Sequence, residues 1–308
     1  MLRQALFRLS QQPRLRALAT RNSFAQSMAR RFVAGETLEE AIEVVRRLNA
    51  AGMAASLDHL GENVTSRGEA RDATEMGCRI FRAAADSGVR CNASFKLTQL
   101  GLDIDETLAA ENLQQIVEEA ARHDNFVRID MESSVYVERT FRLFEGVYGG
   151  HKNVGVVLQS ALYRSAPDLE HMIKVGARVR LCKGAYLESA TVAFQRKEDV
   201  DENYVRLARM LLSGGNYPAF ATHDVKMIDA VREYARQRSI APAQYEFQML
   251  YGVRRDLQMQ LVAQGYNMRV YVPFGTHWYP YLMRRMAERP ANVMFILGSV
   301  AREARSGG

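Results

Sequence analysis

Apolar residues along the chain switch repeatedly between two spacings. Short, nearly continuous apolar runs read as strands buried on both faces, and they alternate with longer stretches whose apolar positions recur at helical intervals. The strand runs are Ala54–Asp58, Cys91–Leu97, Phe126–Met131, Val154–Gln159, Arg178–Lys183, Ala219–His223, Tyr245–Met249 and Met268–Val272. Helical stretches lie between them, at roughly Ser66–Ala85, Asp105–His123, Ser134–Glu145, Pro167–Val175, Leu187–Leu212, Val225–Arg238 and Val253–Gln264, with a last one after Gly275. An earlier helix starts at Thr37, where Thr-Leu-Glu-Glu supplies a capping box with Glu40; Leu38, Ile42, Val45 and Leu48 keep helical spacing up to Gly52. Eight strand–helix units at intervals of about 24 to 40 residues predict an α/β fold of the closed (βα)8 type. The rival, an open doubly wound sheet, lacks its fingerprint, because no GxGxxG follows any strand. No internal repeat or low-complexity segment interrupts the pattern.

The final unit is chemically the most distinctive. In YVPFGTHWYPYLMRRMAERPANV, Tyr271 to Val293, a short strand gives way to a helix on which Tyr281, Arg284, Arg285 and Glu288 share one face, while Leu282, Met283 and Met286 take the other. Two guanidiniums beside a phenol suit a small carboxylate, which guanidinium grips through two parallel hydrogen bonds. The alternative is a solvated, salt-bridged helix face. In a barrel, chemistry belongs at the C-terminal strand ends. Polar residues gather there: Lys96 on strand two, Asp130 and Glu132 on three, Gln159 on four, Arg180 and Lys183 on five, Thr222 and His223 on six, and Tyr271 on eight. A mouth holding Lys96, Arg180, Lys183, Arg284 and Arg285 would attract anions; for each residue singly, a structural ion pair is the competing role.

Composition narrows the picture. The 308 residues carry a formal net charge of +6. Residues 1–35 hold seven arginines (Arg3, Arg8, Arg14, Arg16, Arg21, Arg30, Arg31) and no acid, so the remaining chain is nearly neutral. That argues against a nucleic-acid groove over the folded domain, where the charge would be spread across a face. The arm reads as an organelle transit segment, a surface touching anionic lipid or an N-terminal helical cover. Cys78, Cys91 and Cys182 form no CxxC pair, and the six histidines show neither HExxH nor HxH, so no disulfide framework or metal is expected. No apolar run reaches the length of a membrane span.

Several separate stretches resemble the proline dehydrogenase family: SFKLTQLG around Lys96, RIDMES around Asp130, VVLQSAL around Gln159, VRLCKGAY at 179–186, FATHD at 220–224, EFQMLYG at 246–252, and the arginine-pair stretch. The resemblance runs from about Leu57 to Asn292, and RLCKGAY, FATHD and YLMRR in that order form a specific set. It implies a distorted (βα)8 TIM-type barrel with N-terminal helices and a final helix over the mouth, divided into a basic arm and helices (1–52) and an FAD-binding catalytic barrel (53–308). It implies oxidation of L-proline to 1-pyrroline-5-carboxylate by hydride transfer to FAD, the first step of proline catabolism to glutamate, with electrons passed to a membrane quinone. By the same resemblance Lys96, Arg284 and Arg285 bind the substrate carboxylate, and Tyr271, Tyr281 and Leu250 pack around the ring. Asp130 belongs to the polar network beneath them. Gln159, Arg180, Lys183, Thr222 and His223 hold FAD, with Arg180 or Lys183 stabilising the reduced ring. Glu62, in DHLGEN, matches a position that pairs with Arg284 on closure. Tyr271 favours proline over hydroxyproline. The GTHWYPYL form and the length lean towards stand-alone bacterial enzymes, in the cytoplasm and peripheral at the inner membrane, the alternative being the mitochondrial matrix; product would then pass to a separate pyrroline-5-carboxylate dehydrogenase. Cys182 stands where relatives often carry an aliphatic residue and reads as packing. Outside the family, a Schiff-base lyase using Lys96 or Lys183 and a non-enzymatic adaptor are the competing classes.

Overall fold

The computed structural model describes residues 30–61 and 64–288, with side chains through Met283. After helix α1 (Leu38–Ala50), strands and helices alternate: β1 Ala54–His59, α2 Arg67–Ser87, β2 Cys91–Phe95, α3 Glu106–Arg122, β3 Val127–Ile129, α4 Val137–Tyr148, β4 Val154–Gln159, α5 Ser165–Lys174, β5 Arg178–Cys182, α6 Lys197–Gly214, β6 Ala219–Ala221, α7 Val225–Gln237, β7 Glu246–Leu250, α8 Arg255–Ala263, β8 Asn267–Phe274 and α9 Trp278–Glu288. All neighbouring strands are parallel and in sequence order, and β8 closes on β1 with Ala54 opposite Arg269 and His59 opposite Phe274. The expected closed (βα)8 barrel is therefore the fold.

Two layers follow from the alternation of side chains along each strand. Outward positions such as Leu57, Phe95, Ile129, Val156, Leu181, Phe247 and Val270 are buried against the inner faces of the helices, where Phe81, Ile116, Phe144, Leu169, Leu207 and Ile228 meet them. Many of the inward positions are polar. Arg180 of β5 donates to Ser94 of β2 at 3.0 Å, and Tyr271 of β8 donates to Asp130 beyond β3 at 2.6 Å. These strands are not neighbours, so the bonds run through the barrel's interior. Lower down, Arg269 pairs with Glu246 at 2.8 Å, and Arg128 donates to the carbonyls of Val156 and Arg178. Gly155 makes room for that guanidinium: a Cβ there would stand 2.8 Å from Arg128 Nη1 and 2.3 Å from the Arg178 carbonyl oxygen.

Local signals mostly hold. The Thr37–Glu40 capping box starts α1 as expected, and Ser66, Asp105 and Asp224 cap α2, α3 and α7 with their side chains. The clearest difference lies after β5. The helix expected from Leu187 begins at Lys197, because residues 188–195 make non-helical bonds: Tyr163 N–H donates to the Val192 carbonyl, Tyr163 hydroxyl to the Ala190 carbonyl, and Ser134 hydroxyl to Glu188. β8 also runs further than expected, through Pro273 to Phe274. Tyr271 carbonyl accepts from Tyr251, where β7 has ended, and Pro273 carbonyl accepts from Ala34, so proline's missing donor falls on the side with no further strand.

The segment before α1 lies across this end of the barrel. Arg31 carbonyl passes so close to Gly252 that a Cβ there would meet it at 1.8 Å, and Phe32 and Val33 pack with Leu60, Trp278, Tyr279, Tyr281, Leu282 and Met283. The start of α9 is thus tied to the N-terminal segment as well as to β8. The rest of the basic arm lies outside the described residues. None of the described helices is long and apolar enough to cross a membrane.

Candidate active site

The strand ends expected to carry chemistry do converge. At their centre Asp130 uses both oxygens: Oδ1 accepts from Arg180 Nη1 at 2.6 Å, and Oδ2 accepts from the Tyr271 hydroxyl at 2.6 Å. Arg180 Nη2 reaches Ser94, whose hydroxyl lies 3.2 Å from that of Ser56, and the Arg180 guanidinium stands 5.4 Å from the Tyr271 ring centroid. Burial, reinforced by the nearby charges of Asp130 and Asp58, holds the Tyr271 phenol far above its ordinary pKa. It is therefore a permanent donor to Asp130. Beside this lattice Lys96 Nζ lies 3.4 Å from Asp58 Oδ1. Gln159 donates to the Glu132 carbonyl at 2.8 Å, while the Glu132 carboxylate takes the backbone N–H and hydroxyl of Thr98.

The far side of the mouth is arranged by β5, β6 and β7. Lys183 Nζ stands 2.8 Å from Asp224 Oδ2 and 2.5 Å from Asp201 Oδ1. Thr222 accepts from Asp224 N–H at 3.1 Å, and His223 accepts the Leu250 N–H through Nε2 at 2.9 Å, which leaves Nδ1 to carry the ring proton. Leu250 carbonyl is held in turn by Gln258 at 3.1 Å. Burial pushes the Cys182 thiol up to about 11, which fits a packing residue rather than a nucleophile.

Charges at this end of the barrel are paired. Among the described residues, Lys96, Arg128, Arg180 and Arg269 stand with Asp58, Asp130, Glu132 and Glu246, so the formal charges balance. No group of three or more potential metal ligands occurs among the described residues.

Lys96, Asp130, Gln159, Arg180, Lys183, Thr222, His223, Leu250 and Tyr271 all lie at this end of the barrel, and Tyr281 is buried at the start of α9. The side chains of Arg284 and Arg285, and Glu62 with them, lie outside the described residues. Sequence reasoning missed the partners: Asp58 for Lys96, Ser94 for Arg180, and Asp201 and Asp224 for Lys183. Strand alternation could have found the first two, since Ser56 and Asp58 share a face, as do Ser94 and Lys96. Asp201 had no such signal, sitting on a helix whose start was misplaced.

Comparison with known proteins agrees with this geometry. The family described as proline dehydrogenase matches residues 41–297. Proline dehydrogenase 2 of Bacillus subtilis (strain 168) is 43% identical over 275 residues, 89% of this chain and 91% of that protein. Proline dehydrogenase of Deinococcus radiodurans is 40% identical over 300 residues, 96% of each. Among solved structures, proline utilization A from Bdellovibrio bacteriovorus, inactivated by N-propargylglycine, superposes with a TM-score of 0.81 at 27% identity. That match covers 90% of this chain and 34% of the larger protein, about a third of its length. The ordered motifs, the closed barrel and these alignments place the chain in the proline dehydrogenase family.

Proposed function

We propose that the protein oxidises L-proline to 1-pyrroline-5-carboxylate with FAD as the bound acceptor. The observation that carries this reading is the Arg180–Asp130–Tyr271 lattice spanning the mouth of the barrel. Support for a bound cofactor comes from Arg180 Nε, a buried donor with no protein partner in the described structure. A buried N–H of this kind is rare unless a bound molecule or water takes it. When bound, FAD supplies a hydride acceptor, chemistry that no side chain provides. Gln159, Arg180, Thr222 and His223 would hold it, with Lys183 acting on the turn after β5 beside them.

The chain's own task is to position a small zwitterion. Lys96, with Arg284 and Arg285 from the final helix, would take the carboxylate, while Tyr271, Tyr281 and Leu250 would pack the ring. Asp130 would keep Arg180 and Tyr271 fixed. One hydride leaves the ring carbon beside nitrogen and one proton leaves nitrogen, which yields the C=N bond of the product. The amine proton goes to solvent, since no dedicated base stands out. A Schiff-base role suits neither lysine, because each faces a carboxylate instead of the desolvated surroundings an amine nucleophile needs. Electrons would pass to a membrane quinone, and the product to a separate pyrroline-5-carboxylate dehydrogenase.

The test is a visible absorption spectrum of the purified protein before and after anaerobic L-proline. A flavin band that bleaches with proline, and not with a carboxylate lacking the ring amine, is the expected result. An unchanged band would remove proline as substrate, and no flavin after reconstitution with FAD would remove the reaction.

A further inference from the structure

Lys183 follows the end of β5 at the mouth, and a cation there invites a role at the cofactor. Its surroundings tell against that role. Asp224 Oδ2 accepts its hydrogen bond at 2.8 Å, and Asp201 Oδ1 stands 2.5 Å away as an ionic contact off the direction of a well-aligned hydrogen bond. Lys197 contacts Asp201 Oδ2 and lies 3.8 Å from Asp224. Two ammonium groups and two carboxylates cancel. The charge of Lys183 is used within the protein.

The sequence positions of these four residues show what they do. Lys183 and Lys197 bound residues 184–196, the stretch that crosses from β5 to α6 without regular helix. Asp201, on the second turn of α6, touches both. Asp224 anchors the same lysine to the start of α7, where its Oδ1 accepts the Lys226 N–H at 3.1 Å. Tyr186 and Leu187 in this crossing are exposed, and its bonds to the rest of the barrel include those at Glu188, Ala190, Val192 and Phe194.

We propose that Asp201 is a positioning residue: it clasps Lys183 to Lys197, closes the 184–196 loop at its base, and so holds the turn after β5 in shape for the cofactor. Lys183 is the centre of that clasp and not a cation at the flavin. The proposal rests on FAD being the bound group, but the loop can be tested without it.

The experiment compares the parent with Asp201→Asn, Lys197→Met and Lys183→Met. Flavin-free protein is digested briefly with chymotrypsin, which cuts beside Tyr186, Leu187 and Phe194 and is blind to the lysines replaced, and the fragments are identified by mass. FAD affinity is measured by fluorescence titration, and the flavin midpoint potential by dye-coupled reduction. Asp201→Asn and Lys197→Met should each speed cleavage within 184–196 and weaken FAD binding, by about tenfold for Asp201→Asn, the scale of one charge-assisted bond. The midpoint potential should not change in any of the three. Lys197 is largely exposed, so its variant opens the clasp even if Asp201→Asn fails to fold. Parent-like cleavage in both Asp201→Asn and Lys197→Met, or a shifted potential in Lys183→Met, would overturn the proposal. A protein that binds no FAD would overturn the proposed reaction, while the cleavage pattern still decides the clasp.

Discussion

Asp130 satisfies a buried cation and a buried phenol with its two oxygens, and replacing each partner has a distinct cost. Asp130→Ala would leave Arg180 buried with Ser94 as its remaining bonded side chain, the circumstance in which breaking an ion pair is expensive. The expected loss is about 3 kcal/mol in urea unfolding. Tyr271→Phe keeps that pair and removes one bond to a carboxylate, so about 1.5 kcal/mol is expected. Equal losses in the two variants would mean that Asp130 is not the hub. The thiols make a second case. Burial pushes Cys78 and Cys182 up to about 11 and Cys91 up to about 12. At pH 8 roughly one thiol in a thousand or fewer would be ionised, so iodoacetamide should label none of the three in the folded protein within an hour and all three in urea. Rapid labelling of Cys182 under native conditions would reopen it as a reactive group.

The final helix depends on its first turn. Trp278 is 3% exposed, donates to Glu36 at 3.2 Å and packs with Phe32, Val33 and Leu60, so residues from both ends of the chain fix where α9 begins. Trp278→Ala should cost about 3 kcal/mol locally and raise the proline KM several-fold, while the barrel's far-UV dichroism stays intact. An unchanged KM would mean that the start of α9 does not set substrate affinity. The sequence made the same distinction between elements and their ties. Buried strands and capped helices were legible because apolar period and cap chemistry are local, as at Val154–Gln159 and at Thr37 with Glu40. The polar strand ends were legible because parallel strands deliver their C-termini to one mouth. What escaped was pairing across the interior and over loops, such as Ser94 with Arg180 or Asp201 with Lys183, where partners 86 and 18 residues apart carry no periodic signal.

A barrel whose interior is charged should show it in acid. Burial pushes Glu246 up, but the charge and hydrogen bond of Arg269 outweigh it, and the net pKa falls below the ordinary 4.5. Asp201 and Asp224 behave alike: burial raises them, bonds from Lys183 and the neighbouring lysine charges outweigh it, and both fall below 3.8. A carboxylate with a depressed folded pKa gives stability that is fully present above its unfolded pKa and is lost as pH falls through the folded one. The urea midpoint should therefore hold from neutral pH down to the ordinary carboxylate range and drop below it. Which charges are responsible is decided by changing the Glu246–Arg269 pair. Glu246→Gln alone strands a buried guanidinium and should lower stability at neutral pH by about 3 kcal/mol. Glu246→Leu with Arg269→Met removes both desolvation costs, so it should cost much less at neutral pH and make the acid loss shallower. If the double variant were as unstable as the single one, the pair would be holding the barrel's shape, and its charge would not be the source of the acid sensitivity.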